Sequence, residues 1–216
     1  NITLIARNES KLLNVLSELD KSQGQVHSFV CVDFSDTVKL KEEVSLLKGN
    51  YHILINNTGG PAAGPITSAE TNSFEDAFRM HLVNNQILVQ KVIEGMKKEG
   101  FGRIINIGTN LFHNPVVPYH DYVIAKAALL GLTRTFAKDL GPKGITVNMV
   151  SGGLLKITDA SAATPEEVFD IVASMTPLQK VTTTKDFSDA ITFFASNDSR
   201  AITGQNLTVD GGLTFS

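Results

Sequence analysis

Residues 106–140 read NIGTNLFHNPVVPYHDYVIAKAALLGLTRTFAKDL, which joins the end of an apolar strand to a long apolar-periodic segment. From Tyr122 to Leu140 the apolar residues recur at roughly helical spacing without an internal proline, which predicts an amphipathic helix. Positions i and i+4 share one face of a helix, so the phenol of Tyr122 and the ammonium of Lys126 project the same way. A free tyrosine has a pKa of about 10. A nearby cation stabilises the phenolate and lowers that pKa, which suits general acid–base chemistry.

A hydroxyl group on Thr109 precedes Tyr122 by 13 residues. It follows the apolar run at 103–107, which predicts a buried parallel strand, and ligands bind beyond the carboxyl ends of such strands. Thr109, Tyr122 and Lys126 are therefore predicted to converge on one small oxygen. The Tyr-x-x-x-Lys spacing alone fits equally a half-exposed aromatic beside a surface lysine. The hydroxyl, the strand before it and the helix after it favour a catalytic site.

Five segments of the chain resemble the classical branch of the short-chain dehydrogenase/reductase family. They are residues 56–59 (NNTG), 102–109 (GRIINIGT), 122–126 (YVIAK), 144–148 (GITVN) and 203–212 (TGQNLTVDGG). The resemblance runs from residue 1 to about Gly212. It implies a catalytic set of Thr109, Tyr122 and Lys126. By general likeness along the chain, the sequence is most similar to 3-oxoacyl-(acyl-carrier-protein) reductases.

Length and composition indicate one ordinary globular domain. The chain has 216 residues, enough for a full core, with 42% hydrophobic and 19% charged residues. A net charge of −3 with scattered Lys and Arg argues against nucleic-acid binding, and no apolar run approaches the roughly 18 residues of a membrane span. A single cysteine, Cys31, excludes an intrachain disulfide and is predicted to be buried and inert because it lies in an apolar run. We expect a cytoplasmic enzyme.

Strands alternate with helices along the chain. Strands are predicted at 2–6, 26–32, 51–55, 103–107, 145–150 and 207–209. Two helices are predicted to end near residues 20 and 48, and further helices to cover 74–98, 122–140, a segment that begins at about 164, and 185–195. The nearly continuous apolar strands predict a parallel sheet covered on both faces, that is, a single doubly wound Rossmann domain over 1–216 with a substrate lid at about 156–184. A nucleotide-binding βαβ unit needs an earlier strand and a glycine-rich turn. We expect that βα unit to be missing from this sequence.

The resemblance places a nicotinamide cofactor beside the first two strands. Where NAD-dependent members carry an acidic residue, this chain has Ala6, followed by Arg7. A guanidinium suits the 2′-phosphate of NADP, so NADP(H) is expected over NAD, although Arg7 fits a solvated loop as well. The family uses an aspartate at the position of Asp33, next to Phe34, for the adenine. An N-cap or turn aspartate is the other interpretation.

Further cofactor contacts are implied at the carboxyl ends of later strands. Asn57, Thr58 and Gly59 match the family's Asn-Asn-Ala-Gly, which touches the adenosine ribose, with Thr58 in place of Ala. The Gly- and Pro-rich stretch 60–65 is predicted to be a loop near the site. Gly152 and Leu154 occupy the segment that closes over the nicotinamide, and Leu154 is expected to present its backbone to the carboxamide.

Besides Thr58, three positions depart from the family pattern. The residue 41 positions before Tyr122 is His81, where the family has an Asn that holds a water in a proton relay. His81 either serves as the relay, since imidazole donates and accepts, or is a packed helix histidine that has replaced it. Ser151 stands where the family has Pro and should loosen the turn. Lys156 stands where the family has Thr.

The predicted reaction is hydride transfer between NADP(H) and a carbonyl/alcohol pair. Tyr122 protonates the forming alkoxide, Lys126 lowers the pKa of Tyr122 and holds the nicotinamide ribose, and Thr109 hydrogen-bonds the carbonyl oxygen. The substrate is expected to be a 3-oxoacyl thioester or a similar ketone, with another aldehyde, ketone, diol or sugar as the alternative. A catalytically impaired nucleotide sensor or subunit is the distant alternative. No metal, nucleic-acid or membrane partner is expected. The protein is expected to form a homodimer or a homotetramer.

Overall fold

The computed structural model of the chain describes residues 1–59 and 65–215. The loop predicted at 60–65 therefore lies outside the described residues except for Pro65. Two compact units are present, Asn1–Gly49 and Asn50–Ser216, and each contains a sheet in which every strand pairing is parallel. The α/β class and its parallel pairing are confirmed, while the single domain with its lid stays a prediction.

The first unit is built from two successive strand–helix pairs. Its elements are β1 (Thr3–Ala6), α1 (Glu9–Glu18), β2 (Ser28–Cys31) and α2 (Thr37–Leu46). Both helices begin at capped residues, because the side chains of Asn8 and Asp36 accept hydrogen bonds from backbone N–H groups three residues later. The strands are shorter than predicted and pair with Ala6 opposite Cys31.

The prediction that Cys31 is buried is wrong. Cys31 ends β2 and its side chain is exposed, with the thiol 3.5 Å from the carbonyl oxygen of Arg7. The next residue, Val32, is buried. Successive side chains along an extended chain point to opposite faces, so an apolar run alone does not show which of its members face the interior.

The second unit contains the four-stranded sheet and the helices that cover it. Its elements are β3 (Ile53–Asn56), α3 (Thr71–Phe78), a π-helical segment (Arg79–Val83), α4 (Asn84–Glu99), β4 (Gly102–Thr109), α5 (His120–Leu140), β5 (Ile145–Gly152), α6 (Glu166–Met175), α7 (Thr184–Ala195) and β6 (Asn206–Val209). The strand order is β3-β4-β5-β6. Within residues 1–59 and 65–215, no helix has the length and apolarity that crossing a bilayer demands.

The central strands β4 and β5 separate two apolar clusters. Ile104 and Val147 pack with residues of α4 and α5, whereas Ile105 and Val150 pack with Phe187 and other residues of α7. Neighbouring residues of one strand thus enter opposite clusters, as the two-residue period of a strand requires. The predicted cover on both faces holds for these two strands.

Strand β3 differs from the central strands. Leu54 packs against the cluster that includes α4 and α5, but Ile53 and Ile55 are 45% and 46% exposed. The prediction of cover on both faces is therefore wrong for β3. An apolar strand sequence shows that both faces can be buried, whereas actual burial depends on which elements lie against each face.

The predicted continuous helix at 74–98 is divided into three helical segments. Between α3 and α4, the backbone N–H of Asn84 donates to the carbonyl oxygen of Arg79, five residues earlier. This wider turn shifts the register of the helix by one residue and places His81 at its centre. π-turns inside α-helices occur frequently at functional sites.

Gly144 lies in the turn between α5 and β5, and its substitution tests how closely this turn is packed. Its φ is +75°, and a Cβ there would lie 2.1 Å from the carbonyl oxygen of Gly100. We expect Gly144→Ala to lower the free energy of unfolding by about 3 kcal/mol or more, because left-handed strain and a backbone clash add together. Urea unfolding measures this change.

Gly100→Ala is the matched control for Gly144→Ala. Gly100 also has a positive φ, +63°, but no atom of the described residues lies within 4 Å of a Cβ built there. Only the left-handed strain of about 1–2 kcal/mol is expected for this variant. Equal losses of stability in the two variants would contradict the predicted clash.

Candidate active site

Thr109 and Tyr122 are brought together at the carboxyl end of β4. Thr109 is the last residue of β4 and is buried, and Tyr122 lies in the first turn of α5. The two hydroxyl groups are hydrogen-bonded, and the Thr109 hydroxyl also accepts from the backbone N–H of Leu111. The predicted convergence of the upstream hydroxyl with the tyrosine is therefore present in the structure.

Lys126 lies one turn after Tyr122 with its side chain inside the protein. It is 2% exposed, and its Nζ donates to the carbonyl oxygen of Ile107 in β4 at 2.7 Å. The same Nζ lies 5.6 Å from the centroid of the Tyr122 ring. Burial lowers the pKa of Lys126 to about 7. This lysine is thus a buried group that can exchange its proton near neutral pH, not a surface lysine.

The pKa of Tyr122 is raised, whereas the sequence predicted that Lys126 would lower it. Burial of the phenol raises its pKa above the ordinary value, and the hydrogen bond from Thr109 opposes part of that rise. Lys126 does not lower it here because the ammonium is hydrogen-bonded to Ile107 and faces the ring. Desolvation of the phenolate therefore dominates over attraction to the cation.

His81 completes the cluster from the π-helical segment. Its ring meets the ring of Tyr122 edge-on, with centroids 5.5 Å apart and planes at 76°. Its Nδ1 is 3.0 Å from the hydroxyl oxygen of Thr58, at the end of β3. Burial, together with the charge of Lys126, lowers the pKa of His81 to about 3, so the imidazole is neutral at physiological pH. A neutral imidazole has one donor and one acceptor nitrogen, which a proton relay requires.

A chain of buried side-chain hydrogen bonds lies beneath these residues and was not predicted. Asn56 donates to Asn106 at 2.8 Å, Asn106 donates to Thr133 at 2.8 Å, and Thr133 donates to the carbonyl oxygen of Leu129. Asn56 and Asn106 are opposite each other in the pairing of β3 with β4. The signal in the sequence was an asparagine near the end of each apolar strand. These hydrogen bonds join β3, β4 and α5 near the site.

A second unpredicted contact anchors the backbone that follows Thr109. The carboxylate of Asp210 accepts hydrogen bonds from the side chain of Asn110 at 3.0 Å and from the backbone N–H and hydroxyl of Thr214. Asp210 begins the Asp-Gly-Gly segment after β6. This segment is a turn, and its aspartate also fixes the residue next to Thr109.

Two departures from the family pattern are accommodated by local contacts. Ser151 lies within β5, fully buried, and donates to the side-chain oxygen of Asn206 in β6 at 2.6 Å. The prediction that Ser151 loosens the turn is wrong, because the strand continues through it to Gly152. Lys156 forms an ion pair with Glu166 at the start of α6, and its Nζ lies 5.1 Å from the ring of Phe169.

The predicted cofactor residues of the second unit lie at strand ends. Asn57 and Gly59 are exposed just after β3, and Gly59 has a φ of +59° with its Cα beside the His81 ring. Gly152 pairs with Thr109 in the sheet, and the half-buried Leu154 follows it. Glycine backbones at the carboxyl ends of parallel strands allow a ligand to approach closely. These residues fit a nicotinamide cofactor.

The predicted cofactor residues of the first unit form an exposed ion pair. Arg7 Nη1 lies 3.8 Å from Asp33 Oδ2, and both side chains are exposed. Hydrogen bonds from Ser35, first from its backbone N–H, lower the pKa of Asp33, and Arg7 adds to this. Asp33 therefore holds a turn, as the alternative interpretation required. Phe34 follows it between β2 and α2. A surface pair at this distance contributes little stability and leaves Arg7 accessible to another anion.

The buried neutral state of His81 makes stability depend on pH. Its pKa is about 3 in the folded protein against 6.5 for a free histidine. Below pH 6.5 the unfolded chain binds a proton that the folded protein does not bind until about pH 3, so stability falls as pH falls through this window. We expect wild type to lose up to about 1.4 kcal/mol per pH unit relative to His81→Asn.

Urea unfolding of both proteins at several pH values between 7.5 and 4.5 measures this difference. His113→Asn, at an exposed position, controls for removing an imidazole. A constant difference in unfolding free energy between wild type and His81→Asn across this range would show that His81 is not buried in its neutral form.

Comparison with known proteins assigns residues 1–214 to the family described as Enoyl-(Acyl carrier protein) reductase. The 3-oxoacyl-(acyl-carrier-protein) reductase of Haemophilus influenzae is 30% identical over 91% of this chain and 80% of its own length. The glucose 1-dehydrogenase of Gluconobacter oxydans is 29% identical over 99% and 82%. Among solved structures, a blue fluorescent protein from a metagenomic library in complex with NADPH has a TM-score of 0.88 at 29% identity, covering 100% of this chain and 88% of that protein.

Proposed function

Because the chain belongs to the short-chain dehydrogenase/reductase family, we propose that it transfers hydride between NADP(H) and a carbonyl/alcohol pair at Thr109, Tyr122 and Lys126. The family makes it an oxidoreductase, and its relatives support reduction of a carbonyl with a nicotinamide cofactor. The observation that carries the assignment of roles is the Thr109–Tyr122 hydrogen bond with Lys126 buried beside it.

Tyr122 is the proton donor in this proposal. Its raised pKa keeps the phenol protonated at neutral pH, so it holds a proton for the alkoxide that forms when a carbonyl is reduced. Thr109, hydrogen-bonded to the phenol, orients that proton and donates to the carbonyl oxygen. Two hydroxyl donors on one oxygen stabilise the negative charge that develops there.

Lys126 supplies the cation of the site. Its ammonium is held in place by the carbonyl oxygen of Ile107 and is proposed to donate to the ribose of the nicotinamide. With a pKa of about 7, it can pass a proton at neutral pH without a large energetic cost. His81, neutral and in contact with Tyr122, is proposed to continue the proton path.

NADP(H) is the proposed cofactor, which when bound supplies the hydride. Asn57, Gly59 and Gly152 are proposed to bind it in the second unit. Arg7 is proposed to bind the 2′-phosphate, because its exposed guanidinium can exchange a weak ion pair with Asp33 for it. The likeness to a solved structure that contains NADPH supports this choice over NAD.

A 3-oxoacyl thioester is the proposed substrate. The 30% identity with a 3-oxoacyl reductase supports it, and the exposed apolar side chains of Val168, Ile171 and Met175 on α6 suit an acyl chain. A glucose dehydrogenase is 29% identical to this chain, so another ketone or a sugar is the second candidate substrate. The impaired sensor is the third candidate. Its support is weakened because Ser151 and Lys156 both have partners in the fold.

Oxidation of NADPH, followed by absorbance with the purified full-length protein, tests the proposal. An acetoacetyl thioester is supplied beside simple aldehydes, ketones and glucose, with NADH in parallel and Tyr122→Phe as the inactive control. Turnover selective for the thioester with NADPH supports the proposed reaction and the role of Arg7. Turnover of other carbonyls alone keeps the catalytic set and rejects the substrate. Tight cofactor binding without any turnover rejects the proposed reaction and favours the sensor.

We also propose a homodimer or homotetramer. Exposed apolar side chains occur on three helical segments of the second unit, at Phe78, Val83 and Ile124. Light scattering after size-exclusion chromatography measures the mass of the assembly, and a monomer at micromolar concentration would contradict this proposal. The cytoplasmic location stays a prediction.

A further inference from the structure

Two departures from the family pattern, Thr58 and His81, contact each other. They are 23 residues apart in sequence, and neither was predicted to depend on the other. In the folded chain the hydroxyl of Thr58 and Nδ1 of His81 are 3.0 Å apart, and the two residues are 4% and 3% exposed. The alanine that the family pattern has at position 58 carries no hydroxyl and could not make this bond.

We propose that Thr58 is a positioning residue that fixes the orientation of the His81 ring for proton transfer at Tyr122. The proposal rests on the proposed function and assigns to Thr58 a role other than contact with the cofactor. A hydroxyl can donate to Nδ1 or accept from it, so this bond is compatible with either tautomer of the neutral ring. In both cases it holds the imidazole with Nδ1 directed at the end of β3.

The other edge of the ring is held by the residue after Thr58. A Cβ built on Gly59 would lie 3.1 Å from Cε1 and 3.6 Å from Nε2 of His81. The segment that ends β3 therefore binds Nδ1 with a hydroxyl and, at Gly59, lacks the Cβ that would crowd the Cε1–Nε2 edge of the ring. Glycine leaves room for the imidazole, which is broader than the amide side chain of the family's asparagine.

The orientation of the His81 ring toward Tyr122 depends on its contact with Thr58. The edge-on contact between the rings, at 76°, is an attractive arrangement that only a fixed imidazole orientation maintains. His81 lies at the centre of the π-helical turn, a feature that is rare overall but frequent at functional sites. The hydrogen bond to Thr58 holds the imidazole in this turn.

A double-mutant cycle on kcat separates a role through His81 from an independent role. We expect Thr58→Ala and Thr58→Val to lower kcat about 10-fold or more with KM for NADPH changed less than about 3-fold. Thr58→Ser should restore kcat to within about 3-fold of wild type because it retains the hydroxyl. In the His81→Asn background, Thr58→Ala should have no further effect on kcat. Equal losses of kcat in both backgrounds would overturn the proposal.

Nitrogen-15 NMR of the histidine rings gives a readout that does not depend on turnover. The chain has 5 histidines, and His81→Asn identifies the signal of His81. We expect the Nδ1 signal of His81 to be alike in wild type and Thr58→Ser, and to shift in Thr58→Val, which removes the hydrogen-bond partner of Nδ1. An unchanged spectrum in Thr58→Val overturns the proposal. If wild type reduces no carbonyl, the proposed function fails, and the NMR measurement still decides whether Thr58 holds Nδ1 of His81.

Discussion

Tyr122→Phe is expected to lower kcat by about 10²–10⁴-fold while NADPH binds as in wild type. The phenol is the proposed proton donor to the alkoxide, and its hydrogen bond to Thr109 orients the proton. Phenylalanine retains the ring and its edge-on contact with His81 but removes the donor. The comparison of kcat in an NADPH oxidation assay with Kd from fluorescence titration of NADPH separates chemistry from binding.

Tyr119→Phe is the matched control for this experiment. Tyr119 immediately precedes α5, three residues before Tyr122, and is partly buried. Removal of its hydroxyl should leave kcat within about 3-fold of wild type, since it has no role in the proposed chemistry. If Tyr122→Phe also retained wild-type turnover, the proposed proton donor would be wrong.

Lys126→Met is expected to have the second large effect, on both turnover and the pH dependence of stability. Methionine has nearly the same length but cannot donate to Ile107 or carry a charge. We expect kcat/KM at pH 7 to fall about 10²-fold or more, because a buried cation beside Tyr122 and a ligand for the ribose are lost together.

The stability of wild type relative to Lys126→Met should rise with pH. The pKa of Lys126 is about 7 in the folded protein, against 10.5 for a free lysine. Between these values the unfolded chain retains a proton that the folded protein has released, so stability increases with pH by up to about 1.4 kcal/mol per unit. Lys126→Met lacks this contribution. Urea unfolding at pH 7, 8 and 9 measures the difference.

Lys138→Met controls for the loss of a lysine from the same helix. Lys138 lies in the last turn of α5 and is exposed. Its replacement should leave kcat/KM near that of wild type. A difference in unfolding free energy between wild type and Lys126→Met that does not change from pH 7 to pH 9 would show that Lys126 is not desolvated in the folded protein.

The order of elements and the proposed catalytic set followed from local patterns. Apolar runs bounded by turn residues predicted all six strands that the structure describes, within about two residues at their ends. Helical spacing placed Tyr122 and Lys126 on one face of α5, and the distance of 13 residues placed Thr109 near them. These features depend on periods of 2 and 3.6 residues, which a sequence displays directly.

Contacts between distant segments did not follow from such patterns. The hydrogen bonds between Thr58 and His81 and between Asn110 and Asp210 join residues 23 and 100 positions apart. Each depends on how one element lies against another. The exposure of Cys31 has the same origin, because an apolar run does not show which of its side chains meets a covering helix.

The sequence by itself thus determined the parallel α/β class, the positions of the strands and the choice of the proposed catalytic groups. Only the tertiary structure decided the state of those groups. Burial raises the pKa of Tyr122, lowers the pKa of Lys126 to about 7, and keeps His81 neutral with its pKa at about 3. The physical reason is that a pKa depends on desolvation and on neighbouring charges and hydrogen bonds, and these are set by residues brought together in the fold.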